Sequence, residues 1–116
     1  MLIASLILFV AAGAVGTNPL WAIVRKRPNR LVWTLLHGGL ALAGLALLTI
    51  FCMTTKDAAP MISALLLGLT AAGGLLMMAL RKYGAPIPAG MAFIHPLVAI
   101  TGVVLMVMHM AGIRIE

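Results

Sequence analysis

Acidic residues are nearly missing from this chain of 116 residues, which has two, Asp57 and Glu116, against eight lysines and arginines. That scarcity excludes the carboxylate pairs of acid–base catalysis. It also excludes transport driven by a carboxylate inside the membrane, because one acid sits in a loop and the other at the terminus. Cysteine occurs once, as Cys52 within an apolar run, so neither a disulfide framework nor a cysteine metal cluster is available. Aromatic residues make up 5% of the chain and form no platform for stacked bases. The net charge of +6 therefore does not point to nucleic acid, since the cations are confined to breaks between apolar runs. Ser5 and Ser63 are single hydroxyls with no base in register, which leaves no hydrolytic site.

What is present is hydrophobic. With 64% hydrophobic and 9% charged residues, the composition lies outside that of soluble domains. About 20 apolar residues span the hydrocarbon as a helix, and four stretches reach that length, at 2–24, 31–53, 60–80 and 87–113. The expected fold is all-α: a single integral membrane four-helix bundle over 1–116, with the lipid bilayer as its solvent. The small residues Ala11, Ala12, Gly13 and Ala14 follow an apolar core, as in a secretory signal. No basic segment precedes that core and the apolar run continues to Val24, so it reads as a retained first helix.

Arg25, Lys26, Arg27 and Arg30 fall between the first two spans, and Arg81 and Lys82 between the last two. Lys56 and Arg114 are left for the opposite side. The positive-inside rule then predicts a multi-pass protein of a bacterial-type inner membrane, with both basic loops cytoplasmic and both termini non-cytoplasmic. Trp21, Trp33 and Tyr83 flank those loops as interfacial anchors.

The halves resemble each other. His37, Ala41, Gly44 and Leu47 recur as His95, Ala99, Gly102 and Leu105, and Ala11-Ala12-Gly13 recurs as Ala71-Ala72-Gly73. A tandem duplication of a two-helix hairpin accounts for this pattern. Its halves share one orientation, related by a pseudo-twofold axis along the membrane normal.

An ionisable side chain inside a membrane is costly and marks a functional position by default. His37 lies seven residues beyond Arg30, about 10 Å in from the basic end, and His95 reaches a similar depth on the equivalent helix. Two neutral imidazoles facing each other across a bundle suit a haem iron clamped from both faces. Gly44 and Gly102 lie almost two turns from each histidine on the same face, and Gly13 and Gly73 lie at neighbouring depth, all leaving room for a flat ring. Arg25, Arg30, Arg81 and Lys82 sit at the mouth of that end, placed for haem propionates. A packing reading stands beside this one, with the histidines hydrogen-bonded to each other or to backbone and the glycines serving close helix contact.

In these residues the chain resembles the four-helix membrane b-type cytochromes of the cytochrome b561 kind. The resemblance implies one haem b on His37 and His95, single-electron transfer, and exchange with a quinone or a redox partner. It also implies assembly with other subunits or as a homo-oligomer. In that family a histidine spacing of 14, as between His95 and His109, accompanies a second haem; here the matching position on the second span is Phe51. His109 is thus either a second ligand completed from elsewhere or an interfacial side chain. The cluster of Met106, Met108, His109 and Met110 has ligands suited to copper(I), but Met108 falls on another face of the helix. The alternative function is a haem-free structural or accessory subunit of a larger membrane complex.

Overall fold

The computed structural model describes residues 1–114 and contains four helices. They are α1 (Leu2–Val24), α2 (Leu31–Thr54), α3 (Ala58–Lys82) and α4 (Ala89–Met110). All four are long and apolar enough to cross a membrane. The bundle measures 43 × 24 × 20 Å, enough to cover the roughly 30 Å hydrocarbon and reach the headgroups on both sides. Ile3, Val10, Leu35, Leu65 and Ile100 are exposed around it, as lipid-facing residues should be.

The ends of the helices differ from the sequence expectation for local reasons. Helix α3 starts at Ala58 because Pro60 falls in its first turn, where no intrahelical N–H partner is lost. Helix α4 starts after Pro88 and stops before Gly112. Gly112 takes a left-handed φ of 76° and closes the last turn with Gly112 N–H on His109 O and Ile113 N–H on Met108 O. The end of α3 uses Gly84 (φ 69°) in the same way, and the end of α1 uses Lys26 (φ 52°). A left-handed residue with a Cβ costs about 1–2 kcal/mol, so the first turn is the strained member of the set.

Around the bundle the helices follow chain order. The most extensive contacts join α1 to α2 and α3 to α4, thinner seams join α2 to α3 and α1 to α4, and the diagonal pairs do not meet. The structure is therefore two hairpins laid side by side. One residue from each helix forms the central core: Phe9, Leu48, Leu67 and Met106, with Leu48 and Met106 fully buried. Phe9 and Leu67 stand 58 positions apart, as do Leu48 and Met106, and His37 and His95.

One bond repeats with the same spacing. The fully buried Ser5 donates its hydroxyl to Gly44 O at 2.7 Å, and Ser63 donates to Gly102 O at 2.6 Å, each spanning 39 residues. The two serines, passed over as lone hydroxyls in the sequence, pin α1 to α2 and α3 to α4. They also correct the repeat register. Across α1 and α3 the offset is again 58, so Gly13 matches Ala71 and Gly16 matches Gly74, and the Ala-Ala-Gly identity is out of step by two. Interhelical hydrogen bonds in membranes contribute about 0.6–2 kcal/mol. Ser5→Ala and Ser63→Ala should each lower unfolding stability by about 1 kcal/mol, with the double variant near the sum because the bonds lie in separate hairpins. Denaturation in mixed micelles measures this, and unchanged midpoints in both single variants would refute the pinning role.

Candidate functional site

His37 is the seventh residue of α2 and His95 the seventh of α4, so the two imidazoles enter from diagonal helices at matched depth. Their ring centroids are 6.0 Å apart with planes inclined at 64°. The backbones of α2 and α4 stay apart, so side chains such as these histidines make the approach across the bundle axis.

Each ring rests on the partner helix of its own hairpin. His37 Nδ1 stands 2.8 Å from Ala12 O on α1. A carbonyl only accepts, so Nδ1 carries the proton and Nε2 keeps its lone pair, the arrangement found where a backbone carbonyl orients a ligating histidine. Gly16 makes this contact possible: a Cβ there would stand 2.7 Å from Nδ1 and 2.8 Å from Cε1 of His37. Its counterpart Gly74 lies under His95, where a Cβ would come within 3.1 Å of Cε1. The copies differ in one respect. Thr70 occupies the position of Ala12 and its backbone faces His95, yet the buried His95 Nδ1 has no hydrogen-bond partner.

The remaining sequence candidates distribute differently. Gly13 has nothing near its missing Cβ, and Gly73 has only His95 Nδ1 at 3.8 Å. The space at Gly44 is filled by Leu8 and the Phe9 ring, at 3.3 Å from a Cβ, and the space at Gly102 by Leu67, at 2.8 Å. These two glycines serve close contact within each hairpin. The glycines next to the imidazoles, Gly16 and Gly74, emerge only when the 58-residue offset of the histidines is carried along the whole chain.

A cavity of about 150 Å³ adjoins both histidines, bordered by Gly13, Ala41, Thr70 and Gly74 among others. Arg25, Arg30, Arg81 and Lys82 do not line it. Arg25 instead lies 4.4 Å over the Trp21 ring, and Arg81 donates from Nη2 to Asn29 O at 2.9 Å, joining the end of α3 to the loop between α1 and α2. At the opposite end His109 packs on Phe51, with ring centroids 6.2 Å apart, and its Nε2 is 3.9 Å from the exposed Asp57 carboxylate. Phe51 and His109 are again 58 apart, so this pair repeats the His37–His95 layer with one imidazole replaced. Met106 is enclosed in the core, away from His109's polar neighbour, which disperses the methionine cluster. Among the described residues no three His, Cys, Asp or Glu side chains converge on one point; Glu116 lies outside them.

A pair of imidazoles is a donor set of the kind that ligates haem iron. Two imidazoles on opposite faces of one metal stand about 6 Å apart between ring centres, given metal–nitrogen bonds of about 2 Å. The anchored Nδ1 of His37 and the glycine cradles agree with such a pair, whereas His95 lacks the second hydrogen bond that orients His37. Room is the tighter condition, because about 150 Å³ is below the 300–1,000 Å³ of ordinary ligand pockets. Comparison of the chain with protein-family models, with curated proteins and with solved structures finds no match.

Proposed function

We propose that this protein is a membrane b-type cytochrome module that passes single electrons, with His37 and His95 as axial ligands to one haem b. The observation that carries the reading is the opposed imidazole pair, 6.0 Å between centroids, each ring held on a glycine of its own hairpin. When bound, haem supplies the one-electron chemistry. His37 presents Nε2 as the donor because the Ala12 carbonyl holds the proton on Nδ1. Gly16 and Gly74 keep the helix backbones close to the rings, and the lipid-facing helices keep water away. The excess of basic residues between α1 and α2 and in the last turn of α3 supports cytoplasmic placement of that end in a bacterial-type inner membrane. A quinone or a neighbouring redox subunit is the exchange partner of such a module, in a homo-oligomer or a larger complex.

A reduced-minus-oxidised spectrum of the purified protein tests the reading. A b-type Soret and α band should appear and be lost in His37→Ala and in His95→Ala, while His109→Ala retains both. Absorbance unchanged by either of the first two substitutions would eliminate the pair as ligands. A spectrum with no haem bands after expression with ample haem would leave the accessory-subunit alternative.

A further inference from the structure

The basic end holds a second cavity, independent of the histidines. It is an open recess of about 510 Å³ between the end of α1, the turn that follows it, the end of α3, and the loop and first turns of α4. Lys26, Arg27 and Arg81 line it together with Ile23, Ile87 and Phe93. The lining includes no acid; Asp57 lies at the far end of the bundle. Topology signals explain why cations collect on this side. They do not explain a recess lined by cations and apolar residues together.

We propose that this cavity binds an anionic phospholipid, with the phosphate group between Lys26, Arg27 and Arg81 and the start of an acyl chain along Ile23, Ile87 and Phe93. Cavity volume and lining favour a lipid over free phosphate, since a small oxyanion would leave most of the 510 Å³ and all of the apolar wall unused. Arg81 spends Nη2 on Asn29 O and retains further N–H donors for an oxyanion. The turn at Lys26 is strained at the same place: its φ of 52° stands where the second hairpin has Gly84. A lysine kept in a glycine conformation fits a demand for its charge there. Arg25 is not part of the site, being laid over Trp21.

The test uses the full chain in neutral detergent, incubated with phosphatidylglycerol, phosphatidylcholine or inorganic phosphate, and counts retained lipid by native mass spectrometry. Phosphatidylglycerol should be retained at one per chain and phosphatidylcholine should not. Lys26→Gly combined with Arg27→Gln should weaken retention about 30-fold, as expected for two cations near a lipid surface. Because glycine relieves the left-handed turn, the melting temperature of that variant should not fall, which separates lost binding from unfolding. Arg30→Gln combined with Lys82→Gln removes the same charge from outside the cavity and should leave retention unchanged. Equal loss in both double variants, or equal retention of the two lipids, would overturn the site. Displacement of the lipid by millimolar inorganic phosphate would overturn the assignment of a lipid as its source.

Discussion

Gly16→Ala is expected to disrupt the histidine layer more than any other single glycine-to-alanine change. The new methyl carbon would stand 2.7 Å from His37 Nδ1, and the atom it meets is the one held by Ala12 O. The ring must swing away, breaking the bond that fixes its tautomer, and overpacking of this kind costs about 1–3 kcal/mol. Purified Gly16→Ala should therefore melt at lower temperature and, under the proposed function, lose most of the haem bands. Gly74→Ala, at 3.1 Å from His95 Cε1, should show a partial loss. Gly13→Ala meets nothing within 4 Å and should match the unaltered protein. If Gly13→Ala were as damaging as Gly16→Ala, the role given to Gly16 would be untenable.

The second large effect concerns Phe51. It and His109 stand 6.2 Å apart by ring centroid, close to the 6.0 Å of the histidine pair, at positions related by the same offset. Phe51→His would rebuild the outer layer as a second pair of imidazoles on α2 and α4. Under the proposed function the haem-to-protein ratio should rise from one toward two, and adding His109→Ala should return it to one. A folded Phe51→His protein that still carries a single haem would show that paired imidazoles alone do not make the outer layer a site.

Much of the fold was legible because its signal is thermodynamic. An apolar run long enough to cross hydrocarbon, broken by cations, leaves few alternatives to a spanning helix, and the four spans appear where the hydropathy puts them. The depth match of His37 and His95 was legible for the same reason, since each is read as a distance from a helix start. The supporting residues were harder to read. Glycine, alanine and leucine are so common here that a three-letter match at Ala11-Ala12-Gly13 outweighed the correct register, and that register is what reveals Ser5 with Ser63 and Gly16 with Gly74. Serine gives no hydropathy signal, because its hydroxyl can bond to a helix carbonyl and remain inside the membrane. Which side of Gly44 is filled was equally hidden, because a missing side chain does not say which neighbour takes its place. The left-handed Lys26 shows the same limit, as helix-ending turns are expected to use glycine.

The serine bonds and close glycine contacts are all satisfied inside one hairpin, whereas the histidine layer needs both. During synthesis the first hairpin can therefore enter the bilayer and pack while the ribosome is still making the second. The His37 ring takes its anchor, Ala12 O, from within the first hairpin, so its orientation does not require α4. Such contacts permit a biogenesis in which each half packs by itself and the joint site forms when the halves meet.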